Sequence, residues 1–190
     1  MREKCYLILQ TLGDKAVRAA EDATAMLVAG KSRLDTELRR LRDEAGTEHL
    51  ALAETAFGAD LSVGERSAMI RLGVELSQVV ECALETAVLL RGRTVRVWAL
   101  FDRVRVSAAL TGQLLDVMRE LGRCNRRRLQ SAMRAFSETS GRLAALEMRS
   151  LEEAVAENES NGFWPLASAL DRWHRSLCAA YASALGLLGG

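Results

Sequence analysis

The sequence predicts an all-α protein of six long antiparallel helices, and three observations carry that expectation. Ala, Leu, Glu and Arg dominate, there is one proline, and aromatic residues make up only 5% of the chain. Such a composition favours helix and leaves strands little to be made from. Apolar residues recur three and four apart along most of the chain, the period of a helix with one face packed inward. Glycines and capping residues stand between these periodic segments, where helices start and stop. At 190 residues, half of them apolar, the chain can bury a substantial core as a single domain, 1–190.

The segment Leu61–Leu90 is the clearest helix. Ser62 and Glu65 form a capping box, each able to satisfy an orphan amide at the helix start. Met69, Leu72, Leu76, Val79, Ala83 and Val88 then form the inward stripe, widened by Val80, Leu84 and Ala87. Ahead of it, residues 4–29 carry Cys5, Leu9, Leu12, Ala16, Ala19, Ala23 and Met26 at alternating spacings of four and three. Gly30 suits the left-handed C-cap of that first helix. Ser32 with Asp35 marks the next start, and helix 2 runs to about Phe57 with Leu34, Leu38, Leu41, Ala45, Leu52 and Thr55 in register. Gly58 stops it.

Gly92 ends helix 3. The stretch RGRTVRVWALFD reads as a connection whose Trp98 and Phe101 plug one end of the bundle. Helix 4 is expected over 103–136, with Leu110, Leu114, Val117, Leu121, Leu129 and Met133 inward. Ser137 would cap helix 5, which reads to Asn158 with Leu143, Leu146 and Val155 inward. ENESNG at 157–162 is a turn, and Pro165 lies in the first turn of helix 6, where its missing N–H costs nothing. That helix runs through Leu166, Leu170, Trp173, Leu177 and Tyr181 to about Leu188, and Gly189–Gly190 would fray. The spacing of Met69, Leu72, Leu76, Val79 and Ala83 returns 94 residues later at Phe163, Leu166, Leu170, Trp173 and Leu177. Leu38 and Leu41 are matched by Leu143 and Leu146. The chain thus reads as two three-helix repeats, about 1–91 and 103–190.

The charge balance excludes some functions. A net charge of +1 argues against global attraction to nucleic acid or acidic membranes. Twenty-three of the 26 basic residues are Arg, read first as genomic base-composition bias. Cys5, Cys82, Cys124 and Cys178 form no C-x-x-C pair and read as free thiols of a reducing cytosol. The apolar run Tyr6–Leu9 is too short for a secretion signal. No segment approaches the ~20 apolar residues of a membrane span. A cytoplasmic protein without membrane insertion is expected.

Familiar catalytic signatures are missing. There is no phosphate-binding glycine loop, and neither His49 nor His174 has a Cys or His at metal-ligand spacing. Each histidine reads as an ordinary boundary residue, and no Cys–His or Ser–His–Asp arrangement is legible. A run of arginines, Arg119, Arg123, Arg126, Arg127, Arg128 and Arg134, falls within the expected helix 4. It reads as a solvated face answering Glu147, Glu152, Glu153, Glu157 and Glu159 of helix 5, because no aromatics interleave for base stacking. Two carboxylate pairs are sharper: Glu44/Glu48, with Glu48 in the seam of helix 2 close to helix 3, and Glu81/Glu85. Each pair is one helical turn apart, and four converging carboxylates are what bridged metal sites in helical bundles use. Spacing alone favours a plainer reading, in which they pair with Arg from neighbouring helices or snorkel to water and no cofactor is held.

Those pairs, the segment FGADLSVGERSAMIRLGVELSQVVECALE and the two three-helix halves resemble the PhoU-like family of bacterial phosphate-transport regulators. The resemblance implies a PhoU-like bundle and a non-enzymatic regulator acting through protein contacts with a phosphate transporter or sensor component, and it leaves homodimerisation open. It also implies metal ligation by Glu44, Glu48, Glu81 and Glu85, with iron or zinc in the first repeat only. In the second repeat the offsets set Arg149 and Arg175 opposite Glu44 and Glu81, with Ala179 opposite Glu85. That half is expected to use Arg–Glu pairing instead, Arg175 with Glu147 or Glu153. The alternatives are a helical scaffold unrelated to phosphate and a carboxylate-bridged metal-binding protein.

Overall fold

Every periodic segment forms a helix in the computed structural model, which describes residues 1–29, 34–91, 97–123, 125–156 and 162–188. The helices are α1 (Arg2–Ala29), α2 (Leu34–Gly58), α3 (Val63–Leu90), α4 (Trp98–Arg123), α5 (Arg126–Ala156) and α6 (Phe163–Gly186). No strand occurs among the described residues. The caps expected at Gly30, Ser32 and Gly92, and the acidic residues Glu157 and Glu159, lie outside the described residues. So do Cys124, most of the 157–162 turn and Gly189–Gly190.

Four helices form the centre: α1 packs on α3 and α4, and α6 packs on α3 and α4. The flanking helices are α2, laid on α1 and α3, and α5, laid chiefly on α4. Chain direction alternates. Glu85 meets Arg172 and Ala68 faces Gly186, so α3 and α6 are antiparallel. Arg2 meets Glu65, and Gly73 approaches Leu12, so α1 and α3 run parallel. The small inner residues Ala16, Ala19, Ala20 and Ala23, all at most 1% exposed, let α1 sit against three neighbours at once. The apolar stripe of α3 is buried from Met69 to Ala87, but Val88 is exposed. Met69, Leu72, Leu76, Val79 and Ala83 and their counterparts Phe163 to Leu177 are all buried. α2 packs firmly on α3, whereas α5 touches α6 only lightly.

Local chemistry explains the ends. At the start of α3, Ser62 Oγ accepts from the Glu65 amide at 3.2 Å and Glu65 Oε2 accepts from the Ser62 amide at 3.1 Å, the expected capping box. Two boundaries need correction. Trp98 and Phe101 belong to the first turn of α4; Phe101 packs part-buried against the core as expected, whereas Trp98 is 74% exposed with its ring edge-on to Phe101. The helix expected over 103–136 ends at Arg123, and α5 begins at Arg126. The cause is Asn125, whose Oδ1 accepts from the Arg128 amide at 3.2 Å. This N-cap satisfies an orphan donor and fixes a new start there. Ser137 therefore lies inside α5 rather than at its cap. Val155, expected inward, is 80% exposed. Among the described residues no helix is long and apolar enough to cross a membrane.

Candidate functional site

The carboxylates singled out by spacing do not share one centre. Glu44 and Glu48 both meet Lys15 of α1, at 3.5 and 3.4 Å, and its ammonium stands between them where a bound cation would have to be. Glu48 is half-buried, as its seam position implies, but its partner comes from α1 and not from α3. Glu81 is bound by Arg42 at 2.5 Å, and Glu85 by Arg172 of α6. Glu81 and Glu85 line an open groove of about 840 Å³ with Arg39 and Arg42. Each carboxylate thus has a fixed positive partner, and guanidinium groups keep their charge at any physiological pH. No group of three or more His, Cys, Asp or Glu placed to hold a metal ion occurs among the described residues.

The arginine run is divided by the break at Asn125. Arg119 pairs with Asp14 of α1 at 3.0 Å and Arg123 with Glu120 of its own helix at 3.2 Å. Arg126, Arg127, Arg128 and Arg134 are exposed on α5. Among the described residues the expected charge match is not made, because the antiparallel packing of α4 and α5 puts Glu147, Glu152 and Glu153 at the other end of the bundle from Arg119 and Arg123. In the second half Arg–Glu pairing does occur, through Arg149 and Glu153 at 2.9 Å. Arg175 takes no part in it and instead donates to the Asp171 carbonyl. Glu153 also accepts from the Ala99 amide at 3.0 Å, so a carboxylate caps the N-terminus of α4.

A different constellation forms between α5 and α6. His174 and Cys178 are one turn apart on α6, and Ser140 and Glu147 are two turns apart on α5. His174 Nδ1 lies 2.8 Å from Glu147 Oε1, and His174 Nε2 lies 3.0 Å from Ser140 Oγ. Ser140 Oγ is also 3.7 Å from Cys178 Sγ. The carboxylate fixes the ring by accepting from Nδ1, which leaves Nε2 facing the Ser140 hydroxyl, itself beside the thiol. Behind this row is Arg103 of α4, 2% exposed. Its guanidinium binds Asp171, donates to Ser150 Oγ at 3.2 Å and lies 3.7 Å from Glu147. A buried cation thus holds the carboxylate that orients the imidazole.

The electrostatics favour charge separation within this row. Hydrogen bonding with His174 pulls the Cys178 thiol below its ordinary value, against the desolvation of partial burial, and Ser140 adds to the pull. Hydrogen bonding with Cys178 in turn raises His174, against desolvation, with Glu147 reinforcing it. A thiol that shares a proton with an oriented imidazole is an activated nucleophile. The other described cysteines behave oppositely: burial pushes Cys5 and Cys82 up, and both are essentially inaccessible. Sequence reasoning missed this row although His174-x-x-x-Cys178 was visible, because its other half comes from a different helix.

Compared with models of known families, with curated proteins and with solved structures, the chain matches none at a significant level.

Proposed function

We propose that the protein is a non-enzymatic regulator that works by binding another protein, with the resemblance to PhoU-like regulators pointing to a component of phosphate transport or sensing. One observation carries the reading. Met148, Leu151 and Val155 lie three and four residues apart on α5 and are 62%, 38% and 80% exposed. They form an apolar row on the side of the helix that neither α4 nor α6 covers. Trp98 and Trp164, 74% and 59% exposed, stand at the same end of the bundle, where α4 and α6 begin and α5 finishes. Scattered exposed apolar residues are ordinary, but a row with two tryptophans is the composition of an interface core. The phosphate connection rests on the resemblance alone.

The test is a pull-down with the full chain from cells grown in phosphate-rich and phosphate-poor medium, run beside the Leu151→Asp/Val155→Asp variant. A transporter or sensor component retained by the wild type and lost with the variant is the expected result. No such component in either medium overturns the phosphate reading. Retention unaffected by the two aspartates removes the α5 row as the recognition surface. A different protein, lost with the variant, favours a scaffold unrelated to phosphate.

A further inference from the structure

We propose that Cys178 is a site of oxidation by small hydroperoxides, with Ser140 positioned to donate to the oxygen under attack and His174 to protonate the one that departs. The proposal is independent of the binding role above and rests on the row between α5 and α6. The thiol is part-exposed, Ser140 Oγ lies 3.7 Å from it and 3.0 Å from His174 Nε2, and Glu147 and Arg103 hold the imidazole in place. The α5–α6 contact is otherwise slight, apart from the stacked rings of Phe136 and Tyr181.

The chemistry balances with these residues. The Cys178 thiolate attacks the distal oxygen of a hydroperoxide, and an S–O bond forms as the O–O bond breaks. The leaving alkoxide or hydroxide departs with the bonding pair and takes the proton from His174 Nε2. Sulfur gives up two electrons and the peroxide gains them, leaving a Cys178 sulfenic acid and an alcohol or water. Ser140 can donate to the oxygen under attack while His174 protonates the one that leaves. A low thiol pKa costs some intrinsic nucleophilicity, but near neutral pH the gain in thiolate outweighs it.

The surroundings select the electrophile. A groove of about 840 Å³ lies between α2 and α3 in the other half of the chain, and a hydroperoxide needs no such cleft to reach the part-exposed thiol. Metal binding is a poorer fit, since Glu147 is engaged with the ring and only His174 and Cys178 remain as ligands. The charged groups around the pair are Arg103 from α4, Glu147 from α5, and Asp171 and Arg175 on α6 itself. Glu147 opposes the thiolate directly, although it strengthens the imidazolium that stabilises it. From α3, Glu85 meets Arg172 on another side of α6.

The experiment exposes the reduced full-length protein to hydrogen peroxide at pH 7, traps sulfenic acid with dimedone and locates the adduct by peptide mass spectrometry. Each cysteine is read on its own peptide, Cys124 included. Cys178 should react about tenfold or more faster than Cys5 and Cys82, as an accessible thiolate does relative to buried thiols. Its alkylation by iodoacetamide should rise with pH to a midpoint below the ~8.5 of an unperturbed thiol. His174→Gln should move that midpoint up and slow the peroxide reaction at pH 7, with Glu147→Gln shifting it the same way by less. Equal rates at Cys178, Cys5 and Cys82, or a wild-type midpoint at or above the unperturbed value, overturn the proposal, and neither reading depends on a variant folding. An unchanged profile in a folded His174→Gln protein overturns the part assigned to the imidazole.

Discussion

Replacing Gly73 by Ala probes the closest approach among α1, α2 and α3. An ideal Cβ at Gly73 would lie 2.5 Å from Leu52 Cδ2, 3.3 Å from His49 Nδ1 and 3.8 Å from Leu12 Cδ1. Removing a glycine from a helix interior stabilises by about 1 kcal/mol, because less backbone entropy is lost on folding. Against that stands overpacking. Leu52 and Leu12 are fully buried, so Leu52 can move only into occupied space, and such insertions cost roughly 1–3 kcal/mol. The net expectation is a loss of about 1 kcal/mol, a fall of roughly 2–4 °C in Tm for a chain of this size. Gly141→Ala serves as the reference. Gly141 is exposed in the middle of α5 with no atom within 4 Å of the added carbon, so only the propensity gain of about 1 kcal/mol should appear. Urea unfolding of both variants, compared at constant m-value, isolates the packing difference at about 2 kcal/mol. A Gly73→Ala protein as stable as Gly141→Ala would refute the close three-helix contact.

Glu48→Leu should change stability by less than about 1 kcal/mol, because the carboxylate is part-exposed and Lys15 keeps Glu44 when it goes. Chemical denaturation checks this, and a loss above about 2 kcal/mol would reveal a partner beyond Lys15. His174 supplies a pH dependence. Its folded pKa is raised, so it binds its proton more tightly in the folded state. Its contribution to stability is then full below the ~6.5 of the unfolded chain and fades as pH rises through the folded value. An NMR titration of the folded protein should therefore place the His174 midpoint above the ~6.5 of an unfolded chain, and a midpoint at or below it would contradict the assignment. Cys178 runs the other way: its depressed thiol contributes above about 8.5 and loses that contribution as pH falls through the folded value.

The helices were legible because their signals are local. Ser62 and Glu65 are three residues apart, and the α1 stripe from Cys5 to Met26 keeps its period over six intervals. Both survive in the structure because nothing distant competes with them. The errors fell where one residue outweighs a pattern. Leu121, Leu129 and Met133 keep helical register across the gap between them, yet the side chain of Asn125 starts a new helix inside it. Trp98 and Val155 failed for a different reason. Apolar character implies burial only where a neighbour covers the face, and both sit at a bundle end where α5 has no outer neighbour. That uncovered end is also what suggests a partner.

The site was legible only in halves. His174 and Cys178 share a face of α6 by spacing alone, and Ser140 and Glu147 share a face of α5 by the same rule. What joins the halves is the axial register of α5 against α6, and no side chain announces it. That register is set by contacts elsewhere: Phe136 stacked on Tyr181 at a ring separation of 4.3 Å, and Arg103 reaching from α4 to Ser150 and Asp171. Arg103 is the least predictable of these, since an isolated Arg in a helix is by default a surface residue. Burying its charge is tolerable only because two carboxylates and a hydroxyl meet it. The same bonds fix Glu147 against His174. A one-turn slip of α5 would shift Glu147 about 5.4 Å along the axis, breaking its bond to the ring and stranding the guanidinium together. The structural need to satisfy one buried cation and the geometry that orients one imidazole are therefore a single constraint, which accounts for so exact a polar row at so slight a helix contact.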